Sequence, residues 1–347
     1  MTKRKKEKTE TKHHNNHECC DQKEKDVSKN IEDATRDTVE DVIENEKSTS
    51  LSTSGNLIVP ALIIGVAIIT STFIFKYGPV TTSKTGAVAD EVVLVESFRD
   101  QVLPEEGIVL PADLGNFGKQ MIAAGVIDED KFQELYQKRG GFDAQMQELI
   151  YGDSNDKVVM NEENANFLLN YFWAFGLSNK NEILDNGPMV DERYGGDASK
   201  FASTGGWTLA KGDVMDHYSR YDFVKLTKEQ QEKVESISKN IYRPCCGNSV
   251  YFPDCNHGMA MLGLLEIMAS QGVDEAGMYK VALQVNSYWF PDTYLTLAKY
   301  FAIRDVEWEK VDAKEVLGSP YSSGAGFRAI LEEVEPVKGG GGGGCGV

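Results

Sequence analysis

Between Arg243 and Gly258 the chain reads Arg-Pro-Cys-Cys-Gly-Asn-Ser-Val-Tyr-Phe-Pro-Asp-Cys-Asn-His-Gly, which holds three of its six cysteines and one of its five histidines. Thiolate and imidazole are the donors that soft and borderline metals such as copper and zinc prefer. Pro244, Gly247 and Pro253 are turn residues, expected to fold the stretch back and bring its two ends together. A metal site follows from Cys246, Cys255 and His257, completed by Cys245 or by a methionine. With Cys255 in the first turn of a helix over 255–269, its thiol sits where free amides and the helix dipole favour thiolate. On that helix Met259 follows Cys255 by four residues and Met261 follows His257 by four, so each pair shares a face. Thiolate with thioether leans toward copper; three thiolates and one imidazole suit zinc.

The same residues support two other chemistries. A disulfide between Cys246 and Cys255 would staple the turn to the helix, as is common outside the cytoplasm, with Met259, Met261 and Met268 as plain core. Reversible thiol chemistry at Cys255 is the third reading. The spacing Cys-Cys-x8-Cys-x-His is not one of the standard zinc spacings. His217, in Asp-Val-Met-Asp-His-Tyr, reads better as a surface or core histidine than as a distant ligand.

Two further thiol groups lie near the ends. His13, His14, His17, Cys19 and Cys20 could pick up copper, zinc or nickel, or reflect compositional drift in a polar tail. Cys345 follows the glycine run 339–344, either as an incidental thiol or as one that forms an intermolecular disulfide with a partner. Catalytic signatures are missing: no Gly-x-Ser-x-Gly elbow, no phosphate loop and no His-Glu-x-x-His occurs. Thr204-Gly-Gly-Trp207 and Tyr194-Gly-Gly-Asp197 are glycine turns without a dinucleotide context, and Asp213 with Asp216 is an ordinary acidic pair. Asn286 to Asp292 (NSYWFPD) reads as a packed helix break rather than an aromatic pocket. A binding protein is therefore the preferred reading over an enzyme.

The elements that must position these residues read as mainly α. Helices are expected over Leu114–Ala124 and Glu129–Lys138, the second capped by Asp128. Glu162–Phe175 reads as a core helix stopped by Gly176, and 178–212 as a long surface loop rich in Asn, Gly and Asp. Thr227 opens a helix with a Thr-x-x-Gln capping box and an apolar stripe at Val234, Ile237 and Ile241. Asp254 or Asn256 is expected to cap the helix that carries Cys255 and His257. A further helix runs from near Asp274 to Ile303 with a kink or break at Pro291. Short helices over 313–317 and 323–333 complete an all-helical domain over 111–337, with no strand alternation and no internal repeat.

Leu57–Phe75 is 19 residues without a charge, long enough to cross roughly 30 Å of hydrocarbon as a helix. A transmembrane helix is therefore assigned to 57–76, and a polar linker to 77–110. Ala87-Val-Ala89 resembles a signal-peptide cleavage site, but it lies too far from the apolar run and some 56 polar residues precede that run. Residues 1–56 carry eleven basic and thirteen acidic residues and no aromatic, the composition of a disordered tail. Six of those basic residues fall within the first twelve, which places this end in the cytoplasm and the rest outside. From Tyr77 onward 24 basic residues face 41 acidic ones, which argues against a nucleic-acid partner. The segment 338–347 is a flexible glycine-rich end.

The Pro-Cys-Cys-Gly turn, the following Cys255 and His257 and the downstream helix resemble the PCYCGC-motif proteins, small extracytoplasmic bacterial proteins, over about 60 residues from Val234 to Phe290. This chain differs in its adjacent cysteines and in placing the histidine after the third cysteine. The stretches GKQMIAAGVIDEDKF, FASTGGWTLAKGDVMDHY and NSYWFPDTYLTLAKYF resemble membrane-anchored single-span proteins of small-genome bacteria. That resemblance implies a single-pass protein of a bacterial plasma membrane and no particular activity.

Overall fold

A computed structural model describes residues 99–153 and 157–338. The tail 1–56, the expected span 57–76, the linker as far as residue 98, and the segment 339–347 with Cys345 lie outside the described residues. Among the described residues no helix is long and apolar enough to cross a membrane.

The chain is mainly helical. Its helices of eight residues or more among the described residues are α1 (Phe117–Ala124), α2 (Glu129–Gln137), α3 (Ala144–Tyr151), α4 (Ala165–Ser178) and α5 (Lys228–Ser238), followed by α6 (Asn256–Ser270), α7 (Glu275–Trp289), α8 (Pro291–Ala302) and α9 (Gly324–Leu331). Single turns of helix fill much of 182–216 and 308–322. The all-helical expectation needs one correction: β1 (Ile108–Val109) pairs antiparallel with β2 (Val159–Met160), Ile108 opposite Met160. Two residues per strand are too few to show a period of two. A second correction concerns the linker, because Val102, Leu103, Ile108 and Leu110 are buried, so the core begins inside 77–110.

Helices α4 and α6 form the centre. Thirteen of the 14 residues of α4 and 14 of the 15 of α6 are buried, so both are apolar nearly all round, as helices enclosed by others must be. They touch backbone to backbone. A Cβ on Gly176 would lie 2.2 Å from Met259 O, and one on Gly263 would lie 2.7 Å from Phe172 O. Gly176, expected to end α4, is thus a contact point inside a helix that continues to Ser178.

The expected surface loop 178–212 is instead a series of helical turns that packs into the core, with Leu184, Met189, Ser203, Thr204 and Trp207 buried. Several other local signals were followed. Asp128 caps α2, and Thr227 with Gln230 forms the capping box of α5. Val234, Ile237 and Ile241 are all buried. The long helix from Asp274 breaks at Phe290, with Pro291 in the first turn of α8, where its missing N–H costs nothing. Helix α3, absent from the sequence reading, is capped by Asp143, whose carboxylate accepts from Met146 N–H at 2.7 Å.

One acid is enclosed by this core. Glu266 on α6 is completely buried, and its two oxygens accept from Asn181 Nδ2 at 2.7 Å and Asn179 Nδ2 at 2.6 Å. Burial pushes its carboxyl well above the usual range, against the pull of the two amides.

Candidate functional site

Residues 239–255 form the loop between α5 and α6, clamped on several sides, and Asn256–Gly258 open α6. Tyr242 and Ser249 pair across its base in an antiparallel bridge. Cys246 N–H donates to Arg243 O at 3.3 Å, closing a turn with Pro244 and Cys245 at its two central positions. Cys246 O in turn accepts from Gly324 N–H at 2.8 Å, at the start of α9. Farther along, Asp254 O accepts from Ser203 N–H at 3.0 Å. The loop is held by backbone bonds to distant elements, so its thiols have fixed directions.

Those directions differ from the expected ones. Cys245 lies against the helix: its Sγ is 3.7 Å from Cys255 Sγ. Cys246 Sγ also lies within 4.8 Å of Cys255 Sγ, and Arg243 Nη2 donates to it at 3.1 Å. Beside the Cys246–Cys255 pairing considered from sequence, Cys245 is thus a second candidate disulfide partner for Cys255, at 3.7 Å. The cap of α6 also differs. Neither Asp254 nor Asn256 caps it; Cys255 does, with its Sγ accepting from Gly258 N–H at 3.4 Å.

Cys245 Sγ, Cys255 Sγ and a ring nitrogen of His257 all lie within 4.8 Å of one another. A second trio, Cys246, Asp254 and Cys255, meets the same limit and shares Cys255. His257 is fully buried, and neither of its ring nitrogens has a hydrogen-bond partner among the described residues. Its ring packs on Phe290 at 4.4 Å and Trp289 at 5.7 Å between centroids, so the helix break before Pro291 forms an aromatic wall behind it. The three cysteines are half-buried free thiols. Met259 and Met261 are completely buried on α6.

Arg243 carries no metal donor, yet it sits at the centre of this cluster. Its side chain is completely buried, and Nη2 donates to Asp254 Oδ1 at 2.7 Å, Cys246 Sγ at 3.1 Å and Phe252 O at 3.3 Å. Asn248 Nδ2 holds the other Asp254 oxygen at 2.8 Å. Arg243 Nε and Nη1 have no partner among the described residues. The sequence signal was a glycine: a Cβ on Gly258 would stand 2.7 Å from Arg243 Cζ, so only glycine admits the guanidinium there.

Electrostatics divide the three thiols. Hydrogen bonding from Cys245, then from Cys246, holds Cys255 well below the usual thiol value, with Arg243 adding to the pull. Cys245 is raised well above it by its interactions with Cys246 and Cys255. Contact with Cys245 pulls Cys246 down, but Cys255 and burial outweigh it and push Cys246 up to about 12.

His217 belongs to a different setting. It is buried, its Nε2–H donates to Lys211 O at 2.8 Å, and Nδ1 lies 2.9 Å from Tyr221 Oη. Both nitrogens are occupied, so His217 is structural. His13, His14, His17, Cys19 and Cys20 lie outside the described residues.

No family model matches this chain, and no curated protein or solved structure matches it either. The chemistry has to be argued from the site alone.

Proposed function

We propose that this chain binds a soft or borderline metal ion, copper or zinc, at Cys245, Cys255 and His257, for storage, delivery or sensing of that metal. The observation that carries this reading is His257: a fully buried imidazole with two unpartnered nitrogens, set against two thiols within 4.8 Å. Buried polar groups are nearly always satisfied, so an imidazole whose polar neighbour is the Cys255 thiol is well placed to share a ligand with it. The Sγ–Sγ spacing of 3.7 Å is what two metal–sulfur bonds of about 2.3 Å subtend at a nearly tetrahedral angle. Cys246, Met259 and Met261 complete the set of donors to be tested.

The proposed setting is the outer face of a bacterial plasma membrane, with 57–76 as a single anchor and 1–56 in the cytoplasm. Support comes from the uncharged run Leu57–Phe75 and from the concentration of basic residues before it. Carbonate-resistant membrane association, lost when 57–76 is deleted, tests this separately from metal binding.

A second reading has one observation in its favour. The 3.7 Å between Cys245 and Cys255 is close enough for oxidation to a disulfide, which would make the cluster a structural staple or a redox pair. Elemental analysis with thiol titration on protein purified without chelator separates the readings. Near-stoichiometric zinc or copper, lost on Cys255→Ser, supports the metal site. Absence of metal after reduction and reloading, with two thiols blocked, sinks it in favour of the staple.

A further inference from the structure

The two donor trios share Cys255 but differ in what already faces them. In the first, Cys245, Cys255 and His257, the imidazole is bare. In the second, Cys246, Asp254 and Cys255, a cation is already present. The Arg243 guanidinium is sealed from solvent and bonded to Cys246 Sγ and to Asp254 Oδ1. Gly258 clears the space it occupies, and Asn248 and Phe252 O hold its surroundings.

Resting on the metal-binding reading above, we infer that Arg243 is the resident cation of the second trio, so that the site takes one ion, through Cys245, Cys255 and His257, with Cys246 outside its coordination sphere. A guanidinium suits that task. It does not lose its proton in proteins, and its planar fork gives charge-assisted hydrogen bonds to carboxylate and sulfur together. A second metal ion at Cys246 and Asp254 would have to sit against this fixed charge in a medium of low dielectric, where like charges repel strongly. Arg243 is therefore a positioning residue that sets stoichiometry and ligand choice, and Cys246 is its anchor rather than a metal ligand. Two adjacent cysteines in one turn then serve two different cations.

Anaerobic cobalt(II) and zinc(II) titrations of the full chain in detergent test this. The chain carries His13→Gln, His14→Gln, His17→Gln, Cys19→Ser, Cys20→Ser and Cys345→Ser, so that only the loop cluster reports. The sulfur-to-cobalt charge-transfer band counts thiolate ligands. One cobalt per chain with a two-thiolate band is expected, unchanged by Cys246→Ala. Arg243→Met should vacate the second trio and raise stoichiometry from one to two with a stronger band, whereas Arg243→Lys should remain at one. A chain that binds one ion but loses band intensity on Cys246→Ala overturns this inference and leaves the metal reading standing. So does an Arg243→Met chain that stays at one ion with an unchanged band. No cobalt or zinc bound by the starting chain defeats the metal reading itself. If Arg243→Met fails to fold by circular dichroism, the Cys246→Ala titration decides alone.

Discussion

The guanidinium of Arg243 rests on the bare Cα of Gly258: a methyl group there would stand 2.7 Å from Cζ and 2.9 Å from Nη2. Gly258→Ala must therefore push a buried cation off its partners Cys246 and Asp254. Breaking a buried pair without removing both partners costs about 3–5 kcal/mol, and a loss of that order is expected in denaturant unfolding. Stability within 1 kcal/mol of wild type, measured the same way, would show that Arg243 has another place to go.

The two histidines should behave oppositely. His257 has no hydrogen-bond partner to lose, so His257→Phe in metal-free protein should change stability by no more than about 1 kcal/mol. It should also abolish any rise in melting temperature on adding zinc. His217→Phe removes bonds at Lys211 O and Tyr221 Oη, and should cost about 1–3 kcal/mol while leaving the zinc response intact. Thermal melts of both variants with and without zinc measure this.

Oxidation of metal-free protein should join Cys245 to Cys255. Their sulfurs lie 3.7 Å apart, while Cys246 is held by Arg243 at 3.1 Å. Peptide mapping after mild oxidation reads the pairing directly. A dominant Cys246–Cys255 bridge would mean that the turn at Pro244 rearranges.

At the core, Gly263→Ala should cost about 3 kcal/mol, the upper end for an overpacked site. The added methyl meets Phe172 O at 2.7 Å and Gly176 N at 2.8 Å, both backbone atoms that cannot rotate away. Chemical denaturation of Gly263→Ala measures the loss; a small change would require α4 and α6 to separate without penalty.

Glu266 gives a pH dependence with a definite sign. Its carboxyl is raised well above 4.5 by burial, so the folded state holds its proton more tightly than the unfolded state. Its contribution to stability is complete below about 4.5 and declines as pH rises toward the folded value. Melting temperatures of wild type and Glu266→Gln, followed from pH near 4.5 to neutral, should converge or cross in favour of the variant. A difference that is flat over this range would show that Asn179 and Asn181 hold the group ionised throughout.

Local chemistry was legible wherever one segment decided it. The Thr227 capping box, the Asp128 cap, the stripe at Val234, Ile237 and Ile241, and the break before Pro291 each depend on neighbours within a few residues. Helix α3 was harder to read: it is a short AQMQELIY with few polar–apolar contrasts, and packing completes it. Gly176 misled because a glycine near a helix end looks like a stop, whereas its partner Gly263 lies 87 positions away.

The sequence by itself determined that three thiols and an imidazole lie within one short stretch that runs into an apolar helix. It determined a mainly helical chain as well, because donor type, turn residues and helical period are local properties. Tertiary structure alone decided which sulfur faces which. Backbone bonds from Cys246 O to Gly324 and from Asp254 O to Ser203 turn the loop so that Cys245 meets Cys255 and Cys246 meets Arg243. It also decided that His257 would be enclosed against Phe290 and Trp289 with both nitrogens bare. These are consequences of where distant helices pack, and no spacing within the loop encodes them.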